Sequence, residues 1–188
     1  MASDDSQGTI TRLLAEIAGG KKDSEEELFE LVYHEIHLAA ERRMARERKG
    51  HTWQPTDFVG EVYLRLFSKG TFNAPDRRYF FGAVARAMRQ ALIDHSRKRR
   101  PEHIALDEML NWLHTEQRVD LLDLNEALDE LEKLHPRHHR VVLQKIFLGR
   151  SMDDIAKDEK CSKSTSEKDW MFARAWIRQR LEGRDHGS

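Results

Sequence analysis

The chain has 188 residues, 35% charged and 39% apolar, with a formal net charge of −1; this length allows one domain or two small ones, and the balance suits small helical units rather than one thick core. Cys161 is the only cysteine, which excludes intramolecular disulfides and thiolate zinc sites. No apolar run approaches membrane-spanning length and the opening M-A-S-D-D-S-Q lacks the order of a signal peptide, so a soluble, cytoplasmic protein with no membrane partner is expected.

Thr9 to Ala18 repeats apolar residues at helical spacing and stops at Gly19-Gly20, predicting a short first helix. Ser24, followed by Glu25, Glu26 and Glu27, supplies a hydroxyl cap and first-turn acids for a second helix through Leu28, Leu31, Val32, Ile36 and Ala39. That helix turns basic from Arg42 to Lys49 and ends at Gly50. After a loop from His51 to Pro55, Thr56 is the expected cap of a third helix, with Phe58, Val62 and Leu66 inward and Asp57, Glu61 and Arg65 outward. Gly60 within it costs about 1 kcal/mol relative to alanine.

The stretch from Pro75 to Arg100 is the most informative. At about 100° per residue, Phe80, Phe81, Val84, Met88, Ala91, Leu92 and His95 share one face, while Arg78, Arg86, Arg89, Arg97 and Arg100 fall on roughly the opposite one. Asp94 is the only acid between Asp76 and Glu102, whereas an ordinary solvated face mixes signs to form i,i+4 pairs. Guanidinium forks in a row match phosphate oxygens. The expectation is a helix that packs inward and meets a polyanion outward.

Residues 102–120 are acidic with scattered apolar side chains and read as a linker. Helical spacing returns through Leu124, Leu128 and Leu131, stops at His135-Pro136, and resumes through Val141, Val142 and Ile146 to Gly149. A short helix from Met152 to Glu159, a turn through Lys160 and Cys161, and a helix capped by Ser162 and running to Leu181 complete the chain. The near-neutral total therefore conceals two basic units joined by an acidic segment.

Helix, tight turn and basic second helix form the helix-turn-helix arrangement, with an ordinary helical hairpin as the plainer alternative. Lys160 falls at the tight-turn position and Ser166 at the inward position of the second helix. Trp170, Ala173, Ile177 and Leu181 continue inward, leaving Ser164, Thr165 and Lys168, with Lys163 beside them, for a major groove. Catalysis and metal binding find no support. His34 and His37 stand three apart rather than in the H-E-x-x-H spacing, and His135, His138 and His139 cluster around Pro136 without a matching motif. A phosphate-cradling glycine loop and a nucleophile with its base are both lacking. No cofactor is expected.

In these segments the chain resembles bacterial RNA polymerase sigma factors of the extracytoplasmic-function class. D-F-V-G-E-V-Y-L-R-L is similar to the clamp-binding segment of that family, and G-H-T-W-Q-P-T, A-R-A-M-R-Q-A-L-I-D-H-S-R-K-R-R and D-W-M-F-A-R-A-W-I-R resemble further family segments in the same order. The match runs from Ser24 to Leu181. It implies an all-α fold of two small helical domains: a four-helix unit at 1–101, an acidic linker at 102–120 and a helix-turn-helix domain at 121–188.

The resemblance also implies partners and roles. Core RNA polymerase would meet Asp57, Glu61 and Arg65. Promoter DNA opened into single strands would meet Phe72, Asn73, Arg78, Arg86, Arg89, Arg97, Lys98 and Arg100, with Phe72, Tyr79 and Phe80 as aromatic surfaces. Duplex promoter DNA would meet Lys163, Ser164, Thr165 and Lys168. An anti-sigma factor or another regulator is a further implied partner. The function implied is initiation-factor activity without catalysis; the alternative is a stand-alone helix-turn-helix regulator. The sequence departs from the family pattern at Gly60, commonly a hydrogen-bonding side chain, and at Glu159, Lys160, Ser166 and Glu167, which remove apolar packing and positive charge.

Overall fold

The computed structural model describes residues 2–44, 54–68, 72, 74–98 and 121–183. The chain divides into two compact units, Met1–Leu92 and Ile93–Ser188, so that the divide falls within the fourth helix. The expected boundary at residue 101 and the linker at 102–120 lie outside the described residues. All regular structure among the described residues is helical.

The first unit begins with α1, Ala2–Ala18, which starts earlier than the apolar spacing suggested. Gly20 stops it at φ 89°, and its N–H donates to Ile17 O at 2.9 Å while Lys21 N–H donates to Glu16 O at 3.1 Å. These two bonds satisfy the last carbonyls of the helix and require a left-handed residue that glycine supplies without strain. Helix α2, Asp23–Met44, follows at once. Ser24 does not stand outside it as a cap. It lies within the first turn, buried, and its hydroxyl donates to Glu16 at 2.7 Å, tying α2 to α1.

Helix α3, Pro55–Phe67, is capped from Gln54 and not from Thr56. Pro55 occupies the first position, where its missing N–H costs nothing, and the Asp57 carboxylate accepts from Gln54 N–H at 3.2 Å. Phe58, Val59, Val62, Leu66 and Phe67 are buried. Helix α4, Arg77–Lys98, starts at Asp76, whose carboxylate accepts from Tyr79 N–H at 3.1 Å. Rings link these elements: Phe29 of α2 meets Tyr63 of α3 edge to face at 4.9 Å, Phe67 meets Phe72 at a tilt at 5.1 Å, and Phe72 meets Phe80 of α4 edge to face at 5.9 Å.

The second unit contains α5, Leu121–Leu134, and α6, Pro136–Leu143. A π-helical turn, Gln144–Leu148, follows and is closed by Gly149 at φ 67°. Then come α7, Met152–Asp158, and α8, Lys163–Glu182, capped by the Ser151 and Ser162 hydroxyls respectively. The core holds Leu124, Leu128, Leu131, Val141, Val142, Phe147, Ile155, Ala173 and Ile177. Trp170 and Leu181, expected inward, are only half-buried.

Candidate nucleic-acid interface

Helix α4 carries most of the expected single-strand surface, and its packing revises that surface. Phe80, Phe81, Val84, Met88, Ala91 and Leu92 are buried as the spacing required, while His95 is half-buried. Gly82, Ala85, Ala87, Arg89 and Ile93 are buried as well. Burial therefore extends far round the helix. The exposed residues are Tyr79, Arg86 and Gln90, with half-buried Ala83 between them, at spacings of four, three and four that keep one side chain per turn on a single line.

The expected outward row of arginines is not observed as such. Arg86 is exposed, but Arg89 is 3% exposed. Three residues further on, it lies about 60° round the axis from Arg86, enough to move it from the solvent line onto a packed flank. Arg78 is half-buried, donates to Asp76 at 3.4 Å, and lays its guanidinium over the Tyr79 ring at 4.9 Å. Phe72 is half-buried between Phe67 and Phe80, and Phe80 is fully buried. Neither ring is placed as an open stacking platform. Tyr79, 48% exposed, is the aromatic that remains open, with a cation on its face. The side chains of Arg97 and Lys98, and Asn73 and Arg100 altogether, lie outside the described residues.

On α3, Asp57 is exposed and caps the helix, while Glu61 and Arg65 are half-buried and joined at 2.8 Å. Leu64, 58% exposed, and exposed Gly60 stand on the same side. A Cβ added at Gly60 would meet nothing within 4 Å. The outward face of α3 thus combines an ion pair, a cap, an apolar side chain and a strip of bare backbone.

In the second unit the tight turn forms as the spacing required. Lys160 adopts φ 53°, and Cys161 N–H donates to Ala156 O at 2.9 Å. Glu159 and Ser166, which remove apolar packing, are both buried yet satisfied. The Arg140 guanidinium donates two bonds to the Glu159 carboxylate, at 2.9 and 2.8 Å. Only 1% of the Glu159 side chain is exposed, and a carboxylate that deep is tolerated when it is paired in this fork geometry. Ser166 donates to the Met152 thioether at 3.7 Å. A second buried pair joins Arg150 to Asp158, with Gln144 accepting from the same guanidinium. Arg137 on α6 donates to Asp169 on α8 at 2.7 Å.

With the turn so fixed, Lys163, Ser164 and Lys168 are exposed and Thr165 is half-buried at the start of α8. The Lys163 ammonium bonds Asp153 at 2.7 Å, and this hydrogen bond and charge hold its pKa above the ordinary lysine value. Its cation is thereby partly committed within the turn. Met171, 63% exposed, continues the same side of α8 and went unremarked in the sequence, where only its spacing from Ser164 and Lys168 signalled it. Among the expected non-sites, His37 stacks on Tyr33 and pairs with Glu41, while His135 and His138 pack on Phe172. Among the described residues no three His, Cys, Asp or Glu side chains are grouped to hold a metal, and no helix is long and apolar enough to cross a membrane.

The described residues thus form an all-α protein whose second unit carries a helix, a tight turn and a second helix in helix-turn-helix order. The family model for ECF sigma factors matches residues 7–183, nearly the whole chain, and the protein belongs to that family. Its role is accordingly in transcription initiation. No curated protein and no solved structure matches the chain.

Proposed function

We propose that the protein binds core RNA polymerase, directs it to a particular set of promoters and holds the opened strand without catalysing any step itself. The outward face of α3, with Asp57, Leu64 and the Glu61–Arg65 pair, is the polymerase contact. The α4 line of Tyr79, Arg86 and Gln90 holds single-stranded promoter DNA, supplemented by Arg78 where its guanidinium covers the Tyr79 ring. Strand separation costs on the order of 1.4 kcal/mol per base-pair step, and stacking on an aromatic ring returns about 1 to 3 kcal/mol per base. Ser164, Thr165 and Lys168 read duplex DNA in the major groove.

The observation that carries this reading is the solvent line on α4: a cation and an open ring on a helix whose middle turns are otherwise largely buried. It favours a polymerase-dependent factor over a stand-alone regulator, because a regulator that reads duplex DNA through its helix-turn-helix has no use for an open ring on a separate unit. The test is transcription from a mapped promoter by core polymerase with added protein, with melted thymines detected by permanganate. Arg86→Ala with Tyr79→Ala is expected to leave core binding intact and abolish permanganate reactivity. Normal melting by this pair, or failure of the wild-type protein to bind core at submicromolar concentration, overturns the proposal. Arg89 is unsuitable for the test because its burial couples it to folding.

A further inference from the structure

Met171 is the most exposed of the large apolar side chains among the described residues, at 63%. Single exposed apolar residues are common and need no explanation by themselves. The position of this one is what matters. It stands seven residues after Ser164 and three after Lys168 on α8, about 20° and 60° round the axis from them, so the three occupy one strip. The strip extends about 10 Å from Ser164 to Met171, roughly three base-pair steps of B-DNA.

The fold uses its neighbours otherwise. Ala173 and Ile177 are buried in the core, and Phe172 packs on His135 and His138 with ring centroids at 5.0 and 4.5 Å. Met171 is exposed on this strip, beyond residues that carry a hydroxyl and an ammonium. A thioether neither donates strongly nor carries charge, so phosphate oxygens and polar base edges give it nothing. The major groove presents one apolar group, the C5-methyl of thymine. Three rotatable bonds and a polarisable sulfur let methionine reach and cover such a group.

We propose that Met171 is a specificity-determining residue that packs on the methyl group of a thymine in the duplex promoter element; this rests on the reading that α8 enters the major groove. The experiment uses holoenzyme assembled from the full chain and core polymerase, and a randomised duplex pool from which the preferred site is enriched. Each thymine of the enriched duplex is then replaced singly by deoxyuridine, which lacks only the methyl. One replacement is expected to weaken wild-type binding about fourfold, the effect of uncovering one methyl-sized group. Met171→Ala is expected to weaken binding to the thymine duplex by the same factor and to ignore that replacement, while Met171→Leu retains the preference. Wild-type affinity in Met171→Ala, or its undiminished response to every methyl the wild type senses, overturns the inference. A wild type that enriches a site yet senses no methyl overturns it alone; failure to enrich any site overturns the duplex-reading role as well.

Discussion

In the amino-terminal unit, the helix that carries Arg86 is fixed by rings: Phe72 packs on both Phe67 and Phe80, and Phe80 and Phe81 are buried. In the carboxy-terminal unit, the helix that carries Lys168 is steered by ions: Arg137 holds Asp169 on the helix itself, and Arg140 holds Glu159 at the turn before it. Ring packing is broad and insensitive to charge. Forked ion pairs are directional and depend on both partners. In the proposed function, the first arrangement suits a platform on which a single strand is laid. The second suits a probe whose angle must match a groove.

The largest expected effect tests the ring-packed side. Phe80→Ala removes a fully buried ring and is expected to destabilise the first unit by about 3 to 5 kcal/mol, read by denaturant unfolding. A change under 1 kcal/mol would mean the rings are not what holds α4. On the ionic side, Arg140→Met leaves the Glu159 carboxylate buried without its fork and is expected to cost about 3 kcal/mol. The double variant Arg140→Met with Glu159→Met is expected to recover most of that loss while weakening duplex binding, since packing returns but direction does not. If the double variant is as unstable as the single one, the pair is not the source of the penalty.

Gly60→Ala sharpens the contrast from the opposite direction. Its added methyl meets no atom, so helix propensity alone is expected to raise stability by about 1 kcal/mol, with any loss of core affinity showing that the bare backbone is used by the partner. The smallest effect concerns pH. Burial lowers the His138 pKa, opposed by Asp169 and assisted by His135 and Arg137. The unfolded chain then binds this proton more readily than the folded one, so stability is present above the ordinary value of 6.5 and falls as pH drops below it. Thermal melts between pH 7 and pH 5 are expected to show this slope, and His138→Gln to flatten it.

Much of the architecture was legible because apolar spacing and stop residues are local signals. Gly19-Gly20, Pro136, Gly149 and Ser162 each punctuate the chain where expected. What was illegible is non-local. Glu159 read as a defect because its partner, Arg140, is nineteen residues away on another helix. Arg89 read as solvent-facing because arginine usually is, and no local rule states how far round α4 its neighbours reach. Phe72 and Phe80 read as open surfaces although only Tyr79 among the three is widely exposed. Capping by Asp57 across Gln54 was missed because Thr56 offered a nearer hydroxyl.

Among the described residues a left-handed helix stop is made by glycine at Gly20 and Gly149 and by lysine at Lys160. A side chain in that left-handed slot sacrifices about 1 to 2 kcal/mol of intrinsic backbone preference. Saturation mutagenesis at residue 160 would therefore yield two separable rankings: glycine and asparagine at the head of the list for thermal tolerance, and basic residues at the head for promoter output if the positive charge is what the corner retains. Divergence between those rankings would mark the corner as a place where robustness was exchanged for performance.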